Sequence, residues 1–457
     1  MNMISFSRWA AAGLFLATAS AHAVVQEFKL DNGLRVLVEE DPRAPVVVSQ
    51  VWYRAGSMDE FNGTTGVAHL LEHMMFQGTE KVPAGQFSKQ IAAVGGRENA
   101  FTERDNTTYF QQLPRDQLAL SMKLEADRMA NLNISDEKYK KEIQVVMEER
   151  RLRTEDKPQA MVYERAMSIA YQEHPYRRPI IGWMDDLEHM TAQDARDWYG
   201  RWYAPNNATL VVVGDVKAND VVALAKKYFG PLPAKALPAR KPQDEPEQKG
   251  IKRVTVKAPA KLPYLLMSWH APVLRDVDKD ELPYALQLLA GVLDGHDSAR
   301  LQKALVKERK LAVSLGVGYD SISRGPGMFY LEATPSEGVS VDGLEKAIRA
   351  ELEKVMTKGV SEQELNRAKA QVIASDVYQR DSEFYQAMQI GELATVGLPL
   401  RLLDERVAKL RAVTADEVKA AAGQIIQDDH LTVAVLDPQP IEPKPRRAAV
   451  PGVKNDY

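Results

Sequence analysis

The feature that most limits the fold is a restart of the pattern partway along the chain. Residues 230 to 250, GPLPAKALPARKPQDEPEQKG, carry proline and charge with no apolar period, the composition of a connector between folded units. Before it, residues 26 to 53 read as two strands, with Asp31-Asn32-Gly33 as a hairpin turn and Asp41-Pro42 breaking the chain ahead of VVVSQV. Helices follow over the run from Gly66 and over PAGQFSKQIAAV, the latter stopped by Gly95-Gly96. ENAFTERDNTTYFQQL has the content of a strand, a long helical region opens near Ser135 and runs toward Pro158, and ATLVVVGDV (208–216) reads as a buried strand. After the connector come the strands IKRVTVKA and YLLMSWHAP, helices from Glu281, strands between 313 and 334, more helices and the strand LTVAVL. The same order of elements appears twice. This predicts an α+β chain built from a duplicated unit, with one domain at 24–232, a linker at 233–250, a second domain at 251–437 and a disordered proline-rich tail at 438–457.

At 457 residues the chain exceeds one comfortable core, and 45% hydrophobic with 27% charged residues is the composition of a globular protein. A net charge of −4 gives no footprint for nucleic acid and no polybasic surface for a membrane. Arg8 precedes the apolar run WAAAGLFLATASAHA, which ends in Ala21-His22-Ala23. A basic residue, a short apolar stretch and an A-x-A site predict a secretory signal over 1–23, cleaved after Ala23, rather than a membrane anchor. Hence the expected location is the periplasm or the medium. With no cysteine, thiolate catalysis and thiolate metal ligation are excluded, so a metal must be held by His, Asp or Glu.

GVAHLLEHMMFQG (66–78) holds two of the eight histidines. On a helix His69 and His73 lie one turn apart on one face, with Glu72 beside them. Imidazoles at i and i+4 can share one ion, and H-x-x-E-H is the inverted form of the zincin motif. A catalytic zinc needs a third protein ligand, which must come from elsewhere. In KKEIQVVMEERR, Glu142 and Glu149 are two helical turns apart and so share a face, next to Val145 and Val146. By spacing alone those glutamates also suit a solvated helix face.

The run from LDNGLRVLV through GVAHLLEHMMFQGT, GGRENAFTERDNTTYF, the Glu142/Glu149 pair, HPYRRPIIG (174–182) and SARLQKALVKERKLAVSLGVG resembles the inverzincin peptidases of the pitrilysin and mitochondrial processing peptidase family. The likeness covers nearly the whole chain after residue 23. It implies two α/β-sandwich domains of the processing-peptidase type and a zinc endopeptidase acting on unfolded peptides, with one zinc per chain. His69 and His73 match the histidine ligands and Glu72 matches the general base. Glu149 matches the third ligand; Glu148 is its rival, but the family's supporting glutamate lies seven residues before the ligand, where Glu142 stands. Asn99 and Ala100 match edge-strand residues beside the scissile bond, and Phe101 matches a residue lining a neighbouring specificity pocket. The peptide is then expected to bind extended, as an added strand.

One part of the family pattern is missing. The resemblance implies an arginine and a tyrosine seven residues apart in the second domain, where they hold the substrate. The matching positions in LVKERKLAV are Val306 and Val313, which can supply neither charge nor a hydrogen bond. Nearby Arg300, Arg309, Tyr319, Arg324 and Tyr330 do not have the family spacing. A related subunit supplying the pair is therefore expected, a homodimer being the other arrangement. The alternative function is a non-catalytic structural or peptide-binding subunit, against which stands the intact set His69, Glu72, His73 and Glu149.

Overall fold

The structure, a computed structural model, describes residues 24–441, so the expected leader and residues 442–457 of the tail lie outside the described residues. The first half carries strands β1 (Gln26–Lys29), β2 (Arg35–Glu40), β3 (Val46–Tyr53), β4 (Arg97–Thr102), β5 (Thr107–Pro114) and β6 (Ala208–Gly214). Its helices are α1 (Val67–Met75), α2 (Gln86–Ala93), α3 (Leu118–Asn131), α4 (Asp136–Arg150), α5 (Pro158–Ala170), α6 (Met184–His189), α7 (Ala192–Trp202) and α8 (Ala218–Tyr228). The second half carries β7 (Lys252–Pro259), β8 (Tyr264–Ala271), β9 (Ala312–Tyr319), β10 (Gly327–Pro335) and β11 (Leu431–Gln439). With them go α9 (Leu282–Asp294), α10 (Val341–Lys358), α11 (Glu362–Gln379), α12 (Glu383–Val396), α13 (Leu402–Ala412) and α14 (Ala415–Ile425).

The duplication is visible in the sheets. The first has the order β1-β2-β6-β3-β5-β4 and the second β7-β11-β8-β10-β9. Leaving out β1, the two orders correspond strand for strand. In each, the strand nearest the C-terminal end of its half pairs parallel with the strand that opens the repeated set (β6 with β2, β11 with β7), and the remaining ladders are antiparallel. β4 and β9 are thus equivalent edge strands.

The halves are not beads on a string. One face of the first sheet packs on α1, α3 and α7 through Val47, Val51, Tyr53 and Leu210. Its other face, through Val48, Trp52, Val211 and Val213, is covered by Ala387, Ile390 and Ala394 of α12, a helix of the second half. Reciprocally, Val162, Ala166 and Met167 of α5 cover Leu266, Ala434 and Leu436 of the second sheet. Each half lends one helix to the other's sheet. The approach of α12 requires a residue without a side chain: a Cβ on Gly391 would stand 2.0 Å from the Trp52 ring.

Several expectations need correction. Residues 26 to 53 form three strands rather than two, because the short β1 pairs back onto β2 across the Asp31-Asn32-Gly33 turn. ENAFTERDNTTYFQQL is a hairpin, β4 and β5, whose turn at Glu103–Asn106 interrupts what reads as one β-rich run. The connector has neither helix nor strand, yet it is pinned to the body: Arg240 bonds Asp59, and Glu245 accepts from the backbone N–H groups of Gln172, Glu173 and His174. β11 runs on to Gln439, past the point where the tail was expected to begin, by pairing with β7.

Candidate metal centre

α1 is driven into the first core by Val67, Ala68, Leu70, Leu71, Met74 and Met75, all buried. That apolar face fixes the helix and leaves His69 and His73 on its other side. Its start is held closely. Both carboxylate oxygens of the buried Glu60 accept from the first turn, from Gly66 N at 2.8 Å and Ala68 N at 2.9 Å. Gly66, at φ +89°, packs where a Cβ would come within 2.5 Å of the Ile181 carbonyl oxygen, so the segment HPYRRPIIG closes over this end of the helix. α4 is capped by Ser135, whose side chain accepts from Lys138 N. Ile143, Val146 and Met147 seat α4 in the core, and Glu142 and Glu149 come round to face α1.

One donor atom from each of His69, His73 and Glu149 lies within 4.8 Å of the others. Oε2 of Glu149 is 3.1 Å from Nε2 of His73 and 3.8 Å from Nε2 of His69. Around a tetrahedral zinc with bonds of about 2.0–2.1 Å, ligand atoms stand about 3.4 Å apart. The two distances bracket that value, and the 3.8 Å gap is too long for a hydrogen bond. Among the described residues, Nδ1 of His69 is buried with no hydrogen-bond partner. The donor set fits a zinc ion. Glu148, the rival third ligand, is turned aside and pairs with Arg151 at 3.1 Å.

The supporting groups fix these donors. Oε2 of Glu142 is 3.4 Å from Nδ1 of His73, which leaves Nε2 to face Glu149. Gln77, just beyond α1, donates to the other oxygen of Glu142 at 2.7 Å. After Arg150 the helix widens into a π-helical turn, Arg151–Glu155, and Arg153 from that turn holds Oε1 of Glu149 at 2.8 Å. Burial and the neighbouring His73 push His69 down to about 3. Burial also opposes charge on His73, but the carboxylates of Glu142 and Glu149 outweigh it and lift the ring to about 9. Burial would raise Glu149, yet the hydrogen bond from His73 and the surrounding positive charge hold it near 2.

Glu72 stands outside the donor set. Its Oε2 accepts from Oγ1 of Thr102 at 2.6 Å, and burial raises its carboxyl above the ordinary range, with the Thr102 bond and the charge of His73 pulling the other way. Thr102 ends β4, the free edge of the sheet. Asn99, Ala100 and Phe101 all lie on that strand. Ala100 packs toward the core that holds α1, whereas Phe101 turns to the opposite face, edge-on to Trp52 at 5.7 Å.

Sequence reasoning missed Thr102, Gln77, Arg153 and Glu60. Three had a signal: Thr102 shares the strand face of Ala100, and Gln77 and Arg153 each lie four residues after a donor on a helix. Glu60, which reaches backbone groups six and eight residues away across a loop, had none.

The positions of the absent clamp are also defined. Val306 lies in a π-helical turn, Gln302–Glu308, packed against the second core, and Val313 is exposed on the edge strand β9. Of the possible substitutes, Arg300 is paired with Glu364 at 2.8 Å, Arg309 with Glu351 at 3.7 Å, and Arg324 with Asp59 at 2.8 Å, while the Tyr319 hydroxyl bonds the Pro272 carbonyl. Tyr330 is left open, on the wall of an interdomain cavity.

Two copies of one α+β unit, with an inverted H-x-x-E-H helix in the first copy only, define the class. Residues 35–183 match the family model described as Insulinase (Peptidase family M16), and residues 189–372 match the one described as Peptidase M16 inactive domain. The chain belongs to the M16 peptidase family. It is similar to the zinc protease PqqE of Helicobacter pylori, 34% identical over 345 residues that cover 74% of this chain and 76% of that protein. The crystal structure of a protease from Helicobacter pylori matches with a TM-score of 0.86 at 30% identity, covering 91% of this chain and 100% of that one. The periplasmic protease PqqL from Escherichia coli shares the fold at 20% identity and a TM-score of 0.74, over 95% of this chain and 52% of its own.

Proposed function

We propose that this chain is a zinc-dependent endopeptidase that hydrolyses unfolded peptides or small polypeptides, with His69, His73 and Glu149 as ligands of one zinc and Glu72 as general base. The observation that carries the reading is the convergence of those three donors beside a buried carboxylate that is not one of them. A zinc ion held there supplies a Lewis acid that polarises the peptide carbonyl and lowers the pKa of water toward ~7. Glu72 takes the proton of the attacking water and passes it to the leaving amine, a role typically worth ~10²–10⁴ in rate. Thr102 aims that carboxylate, and Glu142 orients His73. The open edge of β4 offers its backbone N–H and C=O groups to an extended peptide, which pairs as an added strand beside Asn99, Ala100 and Phe101. A folded protein has no free strand to offer, so it is a poor substrate.

The reading includes a partner. With Val306 and Val313 at the clamp positions and Arg300, Arg309 and Arg324 engaged elsewhere, a related subunit supplies the arginine and tyrosine from its own second domain. The site of action is the periplasm or the medium, after loss of residues 1–23. In support, a periplasmic protease shares the fold, and no helix among the described residues is long and apolar enough to cross a membrane. The test is peptide hydrolysis by the zinc-loaded chain, alone and mixed with a related chain that carries the arginine and tyrosine. Strong activity only in the mixture supports the heteromer. Full activity of the single chain, unchanged by any partner, removes the heteromer and keeps the peptidase, and zinc binding without hydrolysis in either state favours a non-catalytic peptide-binding subunit.

A further inference from the structure

Of the three donors, Glu149 is the one whose grip on an ion its own chemistry leaves open. An imidazole offers a metal one nitrogen, whereas a carboxylate can offer one oxygen or both. Here the two oxygens of Glu149 have different neighbours. Oε2 faces the histidines, 3.1 Å from Nε2 of His73 and 3.8 Å from Nε2 of His69. Oε1 is taken by the Arg153 guanidinium at 2.8 Å.

Arg153 and Glu149 are four residues apart, a spacing at which exposed pairs on a helix contribute little. Two features set this pair apart. The Glu149 side chain is only 8% exposed, so water competes weakly for Oε1 although the arginine itself is 58% exposed. The arginine also comes from a turn whose path is fixed. α4 ends at Arg150, and the next five residues form the π-helical turn, closed where Asp156 N donates to the Arg151 carbonyl at 2.7 Å. Such turns interrupt a helix at a local cost and are frequent at functional sites. Arg150 anchors this one to α5 through two bonds of 2.9 Å to Glu164, and Arg151 ties it back to Glu148 at 3.1 Å. The guanidinium is therefore delivered from a held segment and not from a fraying helix end.

On the zinc-peptidase reading above, we infer that Arg153 is a positioning residue that makes Glu149 a one-oxygen ligand and thereby selects zinc over ions that take more oxygens. With Oε1 engaged, the chain presents two ring nitrogens and one oxygen. Three protein donors are the number that leaves a catalytic zinc one open position. Released from Arg153, Glu149 presents its second oxygen beside the same three, and the protein itself fills the position that the reaction needs. The choice of metal follows from the same restraint. Manganese(II) favours carboxylate oxygens and a higher coordination number than zinc, so withholding an oxygen weakens manganese more.

The test reads the bound metal rather than turnover. Cobalt(II) replaces zinc in the full chain and reports its coordination, because its visible absorption is intense with four donors and weak with more. The wild-type chain and Arg153→Lys, which keeps a donor for Oε1, should give the intense band, and Arg153→Met the weak one. In chelator competition the ratio of zinc to manganese affinity should fall about tenfold or more in Arg153→Met and recover in Arg153→Lys. Arg153→Ala serves as the second neutral variant should the methionine chain fail to fold. An arginine that merely supported the fold would lower both affinities together and leave the cobalt band intense. That outcome, or an unchanged band and ratio in the neutral variants, overturns the inference and leaves the peptidase reading standing. If the wild-type chain holds neither zinc nor cobalt, both fall.

Discussion

Replacing Thr102 by valine removes one hydroxyl and keeps the branched shape that β4 needs. That hydroxyl donates to Oε2 of Glu72 at 2.6 Å. A hydrogen bond to an ionised group contributes about 1.5–3 kcal/mol, and each ~1.4 kcal/mol of barrier is a factor of ten, so its loss should lower kcat by about 10- to 150-fold. The bond also favours the ionised form of a carboxyl that burial already raises. Without it the protonated, inactive form persists to higher pH, and the acid limb of the rate profile moves up. KM and zinc content should hold, because the hydroxyl touches neither the outward backbone groups of β4 nor the metal donors. The assay is hydrolysis of a quenched fluorescent peptide across pH 5 to 9, with zinc measured on the same samples and Thr102→Ser as the variant that restores the bond. A Thr102→Val chain within twofold of wild type at every pH, or one that has lost its zinc, would refute the reasoning.

Glu142→Gln removes the charge beside Nδ1 of His73 and should weaken zinc about 10- to 100-fold in chelator competition, whereas unchanged affinity would contradict its role. Stability should depend on pH through Glu392. Its folded value of about 8 lies above the unfolded one near 4.5, so the folded state keeps a proton that the unfolded chain has given up, and stability falls as pH rises through that window. Glu392→Gln removes the slope and should stabilise more at pH 8 than at pH 5 in urea unfolding; an equal gain at both would count against the assignment. Arg324 reaches from the second half to donate to both oxygens of the buried Asp59, at 2.8 and 3.1 Å, with Arg240 of the connector on the same carboxylate at 3.0 Å. Breaking a buried pair costs about 3–5 kcal/mol, and Arg324→Met should fall at the lower end because Arg240 remains. A cost below ~1 kcal/mol would mean that this junction does not hold the halves together.

Much of this was legible because it is local. The repeated order of elements, the helix bearing His69 and His73, and the i, i+7 pairing of Glu142 with Glu149 follow from periodicities that a chain carries along its own length. Thr102 and Thr107 bracket the turn of the β4–β5 hairpin with β-branched residues, so its pattern alone reads as one strand. Glu148 and Glu149 could not be separated by spacing alone, since one residue of helix rotation decides which faces α1. The exchange of α5 and α12 left no trace in the pattern. An amphipathic helix records that it has an apolar face, but not which sheet will cover it, and only Gly391 over Trp52 marks the contact. For the same reason Thr102 could be placed on a face of β4 but not against Glu72, which is 30 residues earlier.

The central claim, that Glu149 completes a zinc site for which Glu72 is the base and not a ligand, is tested most directly by elemental zinc analysis of two single variants purified alike. The account predicts one zinc per chain in Glu72→Gln, as in wild type, with peptide turnover reduced at least ~10²-fold in the active assembly, and sharply reduced zinc in Glu149→Gln. Stoichiometric zinc in Glu149→Gln, or loss of zinc from Glu72→Gln, would contradict it.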